Sequence, residues 1–401
     1  MESAFGAAAP RTQVGSERRF EFTTIAPRSW PVPVMVFAAA CITVGILWDI
    51  SWHATIGRDT FWTPAHMMIY LGGTLGGWVG GWLAFSATFL RRDQLIGSTI
   101  GILGARAPLG AWVAIWGAAA MLTSAPLDDW WHNAYGLDVK ILSPPHALLA
   151  AGMYGVAVGA VLLAAAQRNQ PSAGGTTVAP GFVIAATGVQ LSLASILLTE
   201  LSFPNLQHTA SFYLVSAAMY PAFLTAIARY APTRWAATKV SLVYMAVLLT
   251  MVWILPLFPA EPKLAPIYNR VTHMTPPSFP LLLVAPALAI DVLFQSTRRR
   301  LGLGWTSLRI LAAATLFVAI FLPLQWHFAK FLISPAADSA VLAGHGRFIG
   351  YMGERSQWQE AFWRLDRDPF TEITVVKMWL LALVACSVGN LIGTFFGRIR
   401  R

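Results

Sequence analysis

Residues 48–66 read WDISWHATIGRDTFWTPAH, which places Asp49, His53, Arg58, Asp59 and His66 within nineteen positions of a chain only 11% charged. Where water is excluded, such groups are costly unless they are paired or hold a metal. Residues 127–146, LDDWWHNAYGLDVKILSPPH, repeat the layout with Asp128, His132 and His146. The two spacings are Asp-x3-His-x12-His and Asp-x3-His-x13-His. Flanking features recur as well: Gly57 and Asp59 are answered by Gly136 and Asp138, and Thr63-Pro64-x-His66 by Ser143-Pro144-x-His146.

Residues four apart share one face of a helix, so Asp49 with His53, and Asp128 with His132, can point together from the end of an outgoing helix. Proline suits the first position of a helix, so Pro64 and Pro144 would start the returning helices, with His66 and His146 in their first turns. Two imidazoles and a carboxylate leave coordination positions open, as a catalytic copper, iron or zinc site requires. Arg58, Asp59 and Asp138 are candidates to orient those ligands through hydrogen bonds. The competing reading is a pair of capped helix ends, neutralised by Arg58 or Lys140.

The elements that must position these residues are membrane helices. The chain of 401 residues is 56% hydrophobic, with mean hydropathy +0.58 and repeated apolar runs of about twenty residues. The expected fold is all-α, a polytopic bundle of ten spans near 31–50, 64–90, 108–127, 145–167, 179–200, 209–229, 239–259, 275–296, 304–326 and 374–397. Three parts follow: a tail over 1–30, a four-helix core over 31–170 carrying both motifs, and a further bundle over 171–401 with an outer segment at 327–373. Of the 28 Lys and Arg, eighteen fall on one side of this topology and ten on the other. The richer side, with both termini, is therefore expected in the cytoplasm. The tail lacks an apolar run with a small-residue cleavage site and reads as retained. The net charge of +10 then reflects topology, and no nucleic-acid partner is expected. All eight histidines fall on the outer side, the periplasmic one if this is a bacterial inner-membrane protein. Cys41 and Cys386, far apart in apolar runs, carry no disulfide framework. The glycines of 72–82 include small-x3-small spacings suited to close helix packing, and most of the seventeen tryptophans suit an interfacial belt.

The pattern Asp49-x-Ser51-x-His53-x4-Arg58-Asp59-Thr60-x2-Thr63-Pro64-x-His66 resembles the metal motif in the C subunit of the copper-dependent membrane monooxygenases, the family of particulate methane and ammonia monooxygenases. A second motif of that family, Asn-x3-His-x13-His, is matched at His132 and His146, with Asp128 in place of the asparagine. The resemblance spans residues 31–170. It implies one or two copper ions near the outer membrane face, O2-dependent hydroxylation of a small apolar substrate or ammonia, and companion subunits. An anionic Asp128 should favour a divalent or oxidised ion there.

The second half also ends its outward helices with polar groups: Glu200 precedes His208, Glu261 precedes His273, and His327 closes the ninth span. These four, Glu200, His208, Glu261 and His273, are candidates for a further site. Three functions remain open: a copper oxidase or monooxygenase, alone, as a subunit or as a homo-oligomer, with a membrane quinol as electron donor; a copper-handling or storage protein; and a transporter. Zinc and iron are the alternative metals. Catalysis is favoured over storage because Cu(I) sites favour Met and Cys, which are scarce near the motifs.

Overall fold

The computed structural model describes residues 30–57, 60–90, 99–135, 143–169, 179–263, 272–337, 339–342 and 368–400, apart from the side chains of His132, Glu200 and Ala340. Arg58, Asp59, Asp138 and most of the 327–373 segment lie outside the described residues, as does the tail before Trp30. In chain order the helices are α1 (Pro31–Thr55), α2 (Pro64–Phe89), α3 (Leu109–Tyr135), α4 (Pro144–Arg168), α5 (Pro180–Ser195), α6 (Ala210–Tyr230), α7 (Ala236–Ile254), α8 (Val284–Ser296), α9 (Leu303–Leu332) and α10 (Glu372–Arg398). Among the described residues, eight helical stretches are long and apolar enough to cross a membrane: α1, α3, α4, α5 with its extension to Thr199, α6, α7 with its extension to Leu257, α9 and α10. The chain is thus a mainly helical membrane-type bundle. α2, at 26 residues, is equally long, but its six glycines lower its hydropathy.

Those glycines act through what they leave out. A Cβ on Gly72 would stand 2.5 Å from the carbonyl oxygen of Ala38 in α1, and one on Gly76 2.7 Å from Val156 in α4. Gly117 of α3 and Gly152 of α4 cross so closely that a Cβ on either would lie 2.7 Å from the carbonyl oxygen of the other. Without a hydrophobic drive between helices in lipid, such close backbone packing is a main source of association. Gly73, Gly77 and Gly80 meet Met121, Ala118 and Ala111 in turn, so α2 and α3 run antiparallel. The start of α2 therefore lies beside the end of α3, and both motifs fall at one end of the bundle. We call this the motif end, and the opposite one, which carries Arg168, Arg229 and Arg298 to Arg300, the basic end. A single apolar cluster runs from Val32 to Cys386, continuous across the position near 170 where the sequence suggests a division.

The structure refines the sequence expectation in three places. First, one short hairpin accompanies the expected all-α bundle: β1 (Ile100–Ile102) and β2 (Ala105–Ala107) pair at the basic end. Its two-residue turn has positive φ at both Leu103 (51°) and Gly104 (83°), the twist that suits a tight antiparallel connection. Second, the span expected at 275–296 is helical only from Val284 to Ser296, 13 residues. Residues 275–283, TPPSFPLLL, hold three prolines, which cannot donate hydrogen bonds and push their predecessors out of the helical region. Third, α9 continues to Leu332, so His327 lies on the helix and the segment that follows is shorter than 327–373.

Two helix ends are closed by carboxylates from other elements. The buried Asp291 of α8 accepts from the backbone amides of Ala237 (3.2 Å) and Thr238 (2.8 Å) and from the Thr238 hydroxyl (2.8 Å), at the N-terminus of α7. Asp368 does the same for α6: its carboxylate accepts from Ser211 N–H at 2.7 Å and its carbonyl from Ala210 N–H at 3.2 Å. Each carboxylate thus satisfies orphan amides and meets the positive end of the helix dipole.

Candidate metal centre at the motif end

α1 runs past its expected end, so Asp49 and His53 both sit on its last two turns. It stops at Gly57, whose φ of 98° is open to glycine and strained for other residues. The chain turns back, Thr60 N–H donates to the Thr63 hydroxyl at 2.8 Å, and Pro64 opens α2 with His66 at its third position. Nε2 of His66 then lies 3.2 Å from Oδ1 of Asp49, and Nε2 of His53 lies 3.8 Å from its Oδ2. Asp49 is the hub. Its side chain is 13% exposed, against 21% for His66 and 42% for His53, so the group is half-sunk and open on the His53 side. Oδ1 of Asp49 is buried and makes no aligned hydrogen bond among the described residues, which is costly for a carboxylate oxygen left as it stands.

The second half of the chain fixes this helix end. Ser51 donates to the carbonyl of Thr275 at 2.5 Å, Thr275 N–H donates to Thr55 Oγ1 at 2.8 Å, and Lys263 N–H donates to the carbonyl of Ile56 at 3.1 Å. Ser51 is part of the opening motif, yet its partner lies 224 residues away.

The second motif is built in the same way. Asp128 lies on α3, which continues through Pro126 to Tyr135. Ser143 caps α4, its hydroxyl accepting from His146 N–H at 3.3 Å, and Pro144 occupies the first position, so His146 again comes third. Nε2 of His146 lies 3.5 Å from Oδ1 of Asp128. His132 belongs to α3, but its side chain is outside the described residues. Asp129, exposed on another face, accepts from Asn133 at 3.3 Å and takes no part.

All of these contacts are pairwise. Among the described residues, no group of three or more His, Cys, Asp or Glu side chains is placed to hold a metal ion. The donor chemistry, imidazole nitrogen with carboxylate oxygen, nonetheless fits a transition ion. Ligands at about 2.0–2.2 Å around a tetrahedral ion stand roughly 3.4 Å from one another, and the Asp–His separations are of that size.

The further candidates divide. Glu200 is outside the described set in its side chain. His208 packs edge-on to Trp326, with ring centroids 6.2 Å apart, and feels the charge of Asp368. Burial holds its imidazole below the ordinary value of 6.5, partly offset by the carbonyl of Asn205 and by Asp368. Glu261 and His273 are both exposed on a short paired loop, Pro259 bridging His273, with His273 Nδ1 3.0 Å from the Thr272 hydroxyl. Sequence reasoning missed Asp368, although Asp-Pro before Thr371-Glu372 is a recognisable helix-start signal. It also missed the buried amides of Gln207 and Gln325, joined at 2.6 Å, which carry no spacing signal. An open recess lined by Pro180, Ile184, Lys239 and Val243 lies at the basic end, far from the motifs. No protein-family model, curated protein or solved structure matches the chain.

Proposed function

We propose that this is an integral-membrane metalloprotein that binds copper at the motif end and serves in O2-dependent oxidation of a small apolar molecule or ammonia, as a monooxygenase or as the metal-binding subunit of one. The observation that carries the reading is the convergence of both His53 and His66 on Asp49, mirrored by His146 on Asp128. Asp49, His53 and His66 would hold one ion, and Asp128, His132 and His146 a second, with zinc or iron as the alternatives to copper. Bound copper would supply one-electron chemistry toward O2. The chain's own contribution is to present imidazoles through Nε2, to anchor them against Asp49 and Asp128, and to leave the His53 side open. Closing the first set around an ion needs His53, its most exposed member, to turn toward the other two. The assignment to monooxygenases rests on the motif resemblance over residues 31–170.

The topology that goes with this reading has ten crossings, with α2 and α8 completing the eight long apolar stretches. Both termini are cytoplasmic and the motif end faces outward, the periplasm of a bacterial inner membrane. Support comes from the eighteen Lys and Arg toward the basic end against ten toward the motif end. A quinol donor, companion subunits or a second copy of the chain are the partners proposed with it.

A second reading, transport, is favoured by one specific feature: the unwound stretch 275–283, packed inside the bundle before the short α8. Irregular backbone at membrane depth is typical of transporter sites. Metal content of the purified protein separates the two. The oxidase reading expects one or two bound ions, and the double variant His53→Ala/His66→Ala should lose one while the other stays. Metal content unchanged by that variant would sink the site, and metal-free protein that moves a solute across liposomes would favour transport.

A further inference from the structure

Three hydroxyls stand fully buried with no hydrogen-bond partner among the described residues, those of Tyr213 and Ser216 on α6 and of Ser241 on α7, while that of Tyr220, equally buried, is directed at the Tyr244 hydroxyl. Each such orphan costs about 1–3 kcal/mol unless something polar meets it. Their placement is ordered. Tyr213, Ser216 and Tyr220 follow one another at three and four residues, which puts them on one face of α6 a helical turn apart. Ser241 and Tyr244 are three apart on α7, and the rings of Tyr220 and Tyr244 meet with centroids 6.4 Å apart. Tyr244 already accepts from Leu281 N–H at 3.1 Å, which leaves its proton to give. Ser241 is one turn from Thr238, whose hydroxyl donates to Asp291 at 2.8 Å. At the other end Tyr213 packs on Trp326, the ring that also contacts His208.

We propose that these hydroxyls hold a file of enclosed water molecules that carries protons between the motif end, beside His208 and Asp368, and Asp291 at the basic end. A helical turn rises about 5.4 Å, close to the span of one water hydrogen-bonded on both sides. Buried water characteristically sits on groups left unsatisfied by protein. Tyr213 to Tyr220 covers about 10 Å along α6, and Tyr244 to Thr238 about 9 Å along α7, together roughly two thirds of a 30 Å hydrocarbon core. In each step a hydroxyl takes a proton from the water on one side and releases its own to the water on the other. No carbon bond changes, no electron moves, and one proton is carried per passage. The file uses none of the residues of the two Asp/His/His motifs and stands without the metal reading.

The test is proton flux into liposomes containing the purified full-length protein and a trapped pH-sensitive dye, driven by a potassium diffusion potential set with valinomycin. Wild-type protein is expected to acidify the lumen faster than protein-free liposomes. Tyr220→Phe, and separately Ser216→Ala with Ser241→Ala, should cut that flux about tenfold by breaking the chain of donors. Tyr154→Phe, on α4 and outside the file, should leave it unchanged. Thermal unfolding in detergent reports which variants fold, and the serine pair removes too little volume to prevent it. Wild-type flux no faster than that of empty liposomes overturns the proposal, as does undiminished flux in either folded variant.

Discussion

Asp49 is the residue on which the first motif turns, because both imidazoles approach it and neither approach survives its loss. Asp128 has one described imidazole partner, while its neighbour Asp129 bonds Asn133 on an exposed face. A carboxylate stabilises an oxidised or divalent ion more than a carboxamide of the same size does. Asp128→Asn should therefore weaken divalent-metal affinity at the second motif and raise the reduction potential there, whereas Asp129→Asn should leave both unchanged. Equilibrium dialysis and redox titration of copper-loaded protein decide it, and equal effects from the two changes would remove Asp128 from the proposed ligand set. His208 gives a pH dependence of definite sign. Its folded value is held below that of the unfolded chain, chiefly by burial. Its contribution to stability is then full above about pH 6.5 and is lost as pH falls through the folded value, since the unfolded chain takes up the proton more readily. In detergent, the wild-type unfolding midpoint should fall between neutral and mildly acid pH, and His208→Gln should flatten that fall. Asp368→Asn, which removes a group that supports the charged imidazole, should steepen it.

The broken eighth span carries the most information at the scale of elements. Three prolines keep residues 275–283 from helix, and the backbone amides so released are met by side chains: Thr275 N–H by Thr55, Leu281 N–H by Tyr244, and Leu282 N–H by the carbonyl oxygen of Gln325 at 3.0 Å. Gln325 also donates to Gln207, which in turn donates to the carbonyl of Ser202 at 2.6 Å. Gln325→Leu keeps the volume roughly constant but strands the Leu282 amide and the Gln207 oxygen together. At about 1–3 kcal/mol for each stranded group, it should lower the unfolding midpoint by several degrees. Gln325→Glu, which retains the acceptor, should recover part of that loss. A drop of less than one degree for Gln325→Leu would show that the stretch is held by other means. The opposite turn is clamped by Arg309, which donates to Thr297 Oγ1 at 2.9 Å and also to the carbonyls of Thr297 and Arg300. The short α8 is thus held at both of its ends.

At the scale of the whole molecule the bundle has two chemically distinct ends, and the proposed orientation is open to a direct check. Trp62 is 74% exposed and Asn133 is exposed, both at the motif end, while Ser296 is exposed at the basic end. Cys41 and Cys386 are buried, so they leave the background low. Cysteines placed at Trp62 and Asn133 should react with an impermeant thiol reagent added outside intact cells, and one at Ser296 should react only after permeabilisation. The reverse pattern would turn the protein over and put the motifs in the cytoplasm.

The sequence by itself determined the class of the molecule and the existence of both motifs. Apolar length and the small-x3-small glycines depend on the local chain alone, and so do Pro64 and Pro144 at helix starts, because a helix satisfies its own backbone and needs no partner to be recognised. It also placed Asp49 with His53 and His66, since i, i+4 spacing and a short turn constrain them without help from the rest of the chain. Only the tertiary structure decided that Asp49 serves both imidazoles, that Ser51 is held by Thr275, and that His208 meets Asp368 and Trp326. It alone showed that 275–283 stays unwound, with amides held by α1, α7 and α9, and that Asp291 closes a helix other than its own. Beyond the Asp49 contacts, each of these joins residues at least 37 positions apart, and which distant amide a carboxylate or hydroxyl meets depends on how the helices pack, a quantity that no local spacing carries.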